Sequence, residues 1–353
     1  MMQTIAIFAT VICSLVLSVL FNQCLRNLSP KLNLLAHSGE HRQHEKPTPL
    51  VGGLAMYCAV VIVLIVFFLL FEQAHSLLIY HYIAGASLLM IVGVLDDRFH
   101  MSFVVRIIVQ IIAAMIMVAQ GNILYSLGEL FTTSTLLLGR FSVPLTIFAV
   151  VGVINALNMI DGLDGLAGGI GFISFCFLLI FPFDPTYAMI ILVWLGALLG
   201  FLLFNFRFKQ PARVFMGDAG STLMGYTLAW ILIYGSQQAV ETVAEPRYFA
   251  PIFAVWVLAL PLFETISLML LRVFEGKSPF HADRGHMHHH ILSRTHSVKL
   301  TVLILLVWFS FYSLLGYEFH LQKIATHIQT LIFSMFFVLH FSLQTYLRRK
   351  NSN

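Results

Sequence analysis

The sequence predicts an all-α bundle of membrane-spanning helices, about eleven of them, in a single domain over residues 1–353. Three observations predict it. Hydrophobic residues make up 59% of the chain and charged residues 10%, with a mean hydropathy of +0.89, whereas a soluble domain carries about 25% charge. Apolar runs recur along the whole length, and a spanning helix needs only about 20 apolar residues. The Lys and Arg residues also sort to one side of those runs.

The first run covers 4–24. No basic residue precedes it, Arg26 and Lys31 follow it, and it shows no clear small-residue cleavage site. It therefore reads as a retained helix with its N-terminus outside. Further runs cover 50–71, 77–95, 103–120, 141–158, 166–182, 187–204, 217–235, 249–271, 299–317 and 326–346. The third is short. The eighth opens on the polar stretch Gly217-Asp218-Ala219-Gly220. Residues 123–138 are apolar but broken by Gly128-Glu129, and read as an interfacial or hairpin-like outer loop.

Eleven spans put the termini on opposite sides. Of the 20 Lys and Arg residues, Arg140, Arg247 and Lys323 fall on one side and the other 17 on the opposite one. Positive charge marks the cytoplasmic side, so the C-terminus is cytoplasmic. The net charge of +4 reflects this bias rather than nucleic-acid binding. Cys13, Cys24, Cys58 and Cys176 lie in or beside apolar runs without metal-binding spacing, and read as small buried hydrophobes.

The cytoplasmic loops, 25–49, 96–103, 155–166, 205–221 and 272–298, hold the chemistry. Six of the seven Asp residues (Asp96, Asp97, Asp161, Asp164, Asp218 and Asp283) fall on that side, and Asp184 on the other. Carboxylates converging from separate helix ends repel one another unless a cation lies between them. Asp96 and Asp97 end a helix, where the macrodipole already disfavours anions. Asn158, Asp161 and Asp164 recur at three-residue spacing, so a helix would carry them on one face. Asp218 opens a run between two glycines and reads as a metal ligand or as a helix cap, with Phe215 offering a face for a base. His286, His288, His289 and His290 lie in a loop with Lys277, Arg284 and Arg294. Imidazole ligates zinc, but so many cations favour a polyphosphate. Glu264 lies inside an apolar run about two turns before Arg272, and reads as a snorkelling acid, an ion-pair partner or an intramembrane site.

These loops resemble, in order, those of the polyprenyl-phosphate N-acetylhexosamine-1-phosphate transferase family. The resemblance rests on Pro49-Leu-Val-Gly52-Gly53, Asp96-Asp97, Asn158-x-x-Asp161-Gly-x-Asp164-Gly, Phe215-Met-Gly-Asp218-Ala-Gly-Ser221 and the His286–His290 loop. Where the family often has an Asp three residues after the pair, this chain has His100. The third consecutive His, His290, is a second departure.

The loop from Ser278 to His289 is similar to the branch that moves GlcNAc-1-phosphate from UDP-GlcNAc onto undecaprenyl phosphate. The resemblance implies an Mg²⁺-dependent enzyme, with Mn²⁺ as a substitute. It implies catalytic roles for Asp96, Asp97, Asp161 and Asp164, and metal ligation by Asp218 and Asp97. Lys46, Asn158 and Phe215 would contact the nucleotide, Arg284 the sugar, and His286, His288 and His289 the diphosphate. The implied setting is the cytoplasmic face of a bacterial inner membrane, within the lipid bilayer and without nucleic acid. Members using another N-acetylhexosamine or UDP-MurNAc-pentapeptide remain alternatives, and a homodimer is compatible with the sequence.

An intramembrane aspartyl protease would want Gly-x-Gly-Asp, and Phe215 stands at its first Gly. A CDP-alcohol phosphotransferase would want Asp-Gly-x-x-Ala-Arg, and Asp164 interrupts that pattern. A metal-ion transporter would carry its acids at mid-membrane depth. Here they sit at helix ends.

Overall fold

The computed structural model describes residues 2–36, 47–71, 76–131, 134–207, 210–237, 248–279 and 285–352. It is helical almost throughout, as expected. The helices are α1 (Met2–Leu32), α2 (Gly52–Phe71), α3 (Ser76–Phe99), α4 (Phe103–Ala119), α5 (Ser142–Ile160), α6 (Leu166–Leu178) and α7 (Pro185–Asn205). They continue with α8 (Gly217–Gln237), α9 (Pro251–Val257), α10 (Ala259–Phe274), α11 (Met287–Thr295), α12 (Val298–Leu321) and α13 (Thr326–Ser352). Strands β1 (Leu35–Ala36) and β2 (Thr48–Pro49) pair antiparallel, Leu35 opposite Pro49.

All eleven apolar runs are helical. Among the described residues, seven helices are long and apolar enough to cross a membrane, or eight if α9 and α10 form one span. Helices α4 and α6 are shorter apolar helices. The run at 249–271 is not one straight helix: α9 and α10 meet at a bend of 78°. Pro261, at the third position of α10, has no N–H to bond the Val257 carbonyl, so the ladder breaks there. Among the described residues, 124–131 and 134–138 pair as the two sides of a hairpin-like loop. Leu127 N–H donates to Leu136 O at 3.0 Å and Leu136 N–H to Gly128 O at 2.9 Å, with an antiparallel bridge between Ser126 and Leu137.

The residues expected to form one domain divide into two compact units. The first comprises 1–123 and 143–231, the second 124–142 and 232–353. In the first, Ser14 and Ser18 of α1 donate to Val193 O and Ala197 O of α7 at 2.7 and 2.8 Å. Small polar residues that reach a neighbour's backbone are common glue between apolar helices. Trp194 Nε1 donates to Tyr82 Oη at 2.8 Å, and Tyr82 Oη lies 2.9 Å from Thr227 Oγ1. These bonds satisfy the polar tips of a buried aromatic core that includes Tyr226 and Trp230. In the second unit, Trp256 and Phe263 pack against Phe333, Phe336 and Phe337 of α13.

One expectation about the cysteines fails. Cys13, Cys24 and Cys176 are exposed on the helix surfaces. An apolar residue needs no protein cover where the surrounding helix face is itself apolar, as Ile12, Val16 and Leu20 show on α1.

The start of α8 is held by the turn after β2. Phe215 N–H donates to Pro49 O at 2.8 Å, and the Gly52 and Gly53 amides donate to Phe215 O and Met216 O at 2.9 Å each. A Cβ on Gly53 would overlap the backbone of Gly220. Glycine at both places lets α2 and α8 meet backbone to backbone, and this sets the position of Asp218.

Candidate active site

In the first unit the polar groups converge on the ends of α3, α4, α5 and α8. The Asp96-Asp97 pair falls in the last turn of α3. The helix stops directly after it because His100 adopts a left-handed backbone (φ 52°), while its N–H bonds Asp96 O at 2.8 Å. Asp96 is buried, 5% exposed, and its Oδ1 accepts from Met101 N–H at 2.7 Å. Arg106, in the first turn of α4, bridges two acids. Its Nη1 lies 3.2 Å from Asp96 Oδ2 and 3.3 Å from Asp218 Oδ2. Asn158, near the end of α5, donates to Asp218 Oδ1 at 3.1 Å and to Ser221 Oγ at 3.0 Å. Asp96, Arg106, Gln110, Asn155, Asn158, Asp218 and Thr222 share a cleft of about 390 Å³, including its open part.

Asp97 faces elsewhere. Its two oxygens accept from the Asp218 and Ala219 amides at 2.9 and 3.4 Å. It therefore caps α8 from α3, meeting free amides and the positive end of the dipole. Asp97 fastens Asp218 in place and does not line the cleft.

Two carboxylates here, Asp96 and Asp218, face one guanidinium. The Asp218 side chain remains 47% exposed. Hard oxygen donors with an excess of negative charge suit a divalent cation such as Mg²⁺, so the residues fit the implied metal. Asp218 and Asp96 are the ones that would hold it from the cleft.

Asp161 and Asp164 are not on a helix face. Both lie in the turn between α5 and α6, where Gly165 takes a left-handed backbone (φ 87°) that ends one helix before the next begins. Asp164 Oδ2 accepts from Ala212 N–H at 3.3 Å, so it braces the loop before α8. Phe215 is 6% exposed. In this conformation its ring is buried and its backbone secures the turn, so it presents no open stacking face. Lys46 and Arg284 lie outside the described residues.

In the second unit the imidazoles of His286, His288 and His289 cluster, with ring centroids 4.3 to 6.2 Å apart. His286 and His289 are partly exposed. His288 is 3% exposed. Burial, helped by the neighbouring His286 and His289 rings, pushes its pKa down to about 3, so it is neutral at pH 7. Glu264 is buried beside them and is not paired with Arg272. Its Oε1 accepts from Met287 N–H at 2.7 Å, with His286 Nδ1 at 3.3 Å and His340 Nε2 3.5 Å from Oε2.

Residues 79–236, which carry the whole carboxylate constellation, match Glycosyl transferase family 4. The undecaprenyl-phosphate alpha-N-acetylglucosaminyl 1-phosphate transferase of Escherichia coli O157:H7 is 31% identical over 296 residues, covering 82% of this chain and 78% of its own. Proteins of the same name from Salmonella typhi and Haemophilus influenzae are 34% identical over 272 and 276 residues. They cover 76% and 75% of this chain, and 71% and 73% of their own. The chain belongs to glycosyl transferase family 4.

The cleft of this family 4 member contains groups that the sequence reading passed over. Arg106 counted there only as one of many cytoplasmic cations. The available signal was its place, a lone cation within the apolar run of α4, four residues before the equally isolated Gln110. Gln110 Oε1 accepts from Asn155 Nδ2 at 2.7 Å, so it steadies α5 one turn before Asn158. Ser221, one turn after Asp218, was legible only as part of a motif.

Proposed function

We propose that this protein transfers GlcNAc-1-phosphate from UDP-GlcNAc to undecaprenyl phosphate, releasing UMP and forming a lipid-linked GlcNAc diphosphate. The observation that carries the reading is the Asp96–Arg106–Asp218 cleft, in a chain about a third identical to enzymes named for transfer to this lipid. The reading includes an eleven-span topology with the N-terminus outside. It puts the cleft on the cytoplasmic face of a bacterial inner membrane, where a polymer precursor is started.

Phosphoryl transfer needs positioning and charge neutralisation more than covalent help. An oxygen of the lipid phosphate attacks the sugar-side phosphorus, the bond to the uridylyl oxygen breaks, and UMP departs. Mg²⁺, when bound, neutralises charge on the diphosphate oxygens. Arg106 and Asn158 hold both oxygens of Asp218 in one orientation. Asp97 holds the main chain beneath it. Asp96 takes up the proton of any lipid phosphate that arrives as the monoanion, a minority species at pH 7 because the second pKa is about 6. Asp161, Asp164, Lys46 and Arg284 remain assigned to the nucleotide-sugar. His286 and His289, by their own chemistry, donate to diphosphate oxygens.

The test is purified protein with radiolabelled UDP-GlcNAc, undecaprenyl phosphate and Mg²⁺. The expected products are UMP and a lipid bearing two phosphates. Release of UDP with a singly phosphorylated lipid-sugar would mean plain sugar transfer and would sink the mechanism.

A further inference from the structure

Glu264 has no part in the reaction proposed above. It lies in α10 and is 2% exposed. A carboxylate buried among apolar helices is costly unless nearby groups meet its charge. Met287 opens α11, so its amide is one of the helix's free N-terminal donors. His286, the residue before it, supplies no side-chain cap of its own. Glu264 takes that place from another helix, accepting from Met287 N–H at 2.7 Å. The same oxygen lies 3.3 Å from His286 Nδ1. That nitrogen is buried and faces the carboxylate at ion-pair distance without a hydrogen bond, and the ring as a whole keeps some exposure. His340, from α13, faces the second oxygen at 3.5 Å. Gln344, one turn further along α13, donates to Gly285 O at 3.1 Å.

We propose that Glu264, backed by His340, is a positioning residue for the diphosphate-binding His loop. It grips the loop at one main-chain amide and lies within ion-pair distance of one ring, and so fixes the direction in which His286 and His289 present their donors. This rests on the reading that the loop binds the donor's diphosphate. A rival exists on the same side chains. Glu264, His286 and His288 each offer a ligand atom, all within 4.8 Å of one another, and could instead hold a transition metal.

The test uses the full-length purified protein. Glu264→Gln keeps the shape and an acceptor but removes the charge. It is expected to raise KM for UDP-GlcNAc about tenfold, with a much smaller change in kcat and none in KM for undecaprenyl phosphate. Glu264→Asp is expected to recover most of the loss. In a His286→Ala background, Glu264→Gln should add less than about a twofold further effect, because the two act as one unit. Hydrogen exchange of the 285–290 amides should quicken in Glu264→Gln.

Fully additive losses, or unchanged exchange, overturn the proposal. So does stoichiometric zinc in the wild type that Glu264→Gln loses, since Glu264 would then be a ligand. If Glu264→Gln cannot be recovered folded, His340→Gln replaces it. Faster exchange at 285–290 is again expected, and unchanged exchange again overturns the idea. A wild type that releases no UMP refutes the function reading alone, because the exchange experiment still decides the positioning role.

Discussion

Asp218 and Glu264 are both carboxylates in apolar helices, yet the Asp218 side chain is 47% exposed and that of Glu264 only 3%. Asp218 shares one guanidinium with Asp96 and faces an open cleft. Glu264 is met on one oxygen by a helix N-terminal amide and on both by imidazoles. A half-exposed ion pair is worth roughly 0–1 kcal/mol, so Arg106 contributes orientation more than stability. An acid left in surplus negative charge stays available to a ligand. An acid buried against several donors is committed to holding structure. The same side-chain chemistry thus stands open to a ligand in the first unit and is built into the packing in the second, and burial decides which.

The largest expected effect breaks the first half of that comparison. Asp218→Asn should lower UMP release by about 10³-fold or more while leaving membrane insertion intact, on the scale of losing one preorganised electrostatic contact. Chelation should abolish turnover equally, with recovery on adding Mg²⁺ or Mn²⁺. Activity that survives both treatments would mean that the exposed acid is not a metal ligand.

Arg106→Gln tests orientation against stability. Turnover should fall by about 10²-fold, while the thermal midpoint moves little. A large loss of stability with normal turnover would reverse the assignment.

His289→Ala sharpens the second half. Its partly exposed ring should account for about a tenfold loss in kcat/KM for UDP-GlcNAc, with metal content unchanged.

The buried His288 makes a smaller, pH-dependent mark. Its native pKa is depressed to about 3, so the unfolded chain binds a proton that the native state does not. Stability is unaffected above about pH 6.5 and falls on acidification from there towards pH 3, by at most about 1.4 kcal/mol per pH unit. Thermal scans from pH 7 to pH 5 should show this decline in the wild type and a shallower one in His288→Gln. The smallest effect belongs to Asp184→Asn, remote in sequence from the acidic motifs, which should stay within about twofold of wild type. A loss like that of Asp218→Asn would refute the sidedness argument.

Much of the site was legible along the chain. Asp96, Asp97, Asn158 and Asp218 stand out because polar residues at the ends of apolar runs are few, and those four do meet. The helices and the hairpin-like pairing of 124–131 with 134–138 follow from hydropathy and glycine placement. The errors share a cause. Spacing suggested a helix face for Asp161 and Asp164, but Gly162 and Gly165 allow a turn, and the close packing of Phe206 at Gly165 fixes it there. Phe215 reads in the sequence as a face for a base, but the ring is buried and its backbone is bonded to Pro49 and Gly52. Asp97 looked equivalent to Asp96, but successive residues on a helix point about 100° apart, so one enters the cleft and the other meets α8.

By itself the sequence determined the helical class, the membrane setting and the inventory of acids and imidazoles at the helix ends. Those follow from composition and period, which are properties of residues in order. Only the tertiary structure decided which acids would be exposed, that Arg106 joins Asp96 to Asp218, and that Glu264 holds the His loop. Those depend on distances between residues 10 to 112 positions apart for Arg106 and 23 for Glu264 and Met287. Such distances are set by helix packing, and local pattern carries no record of them.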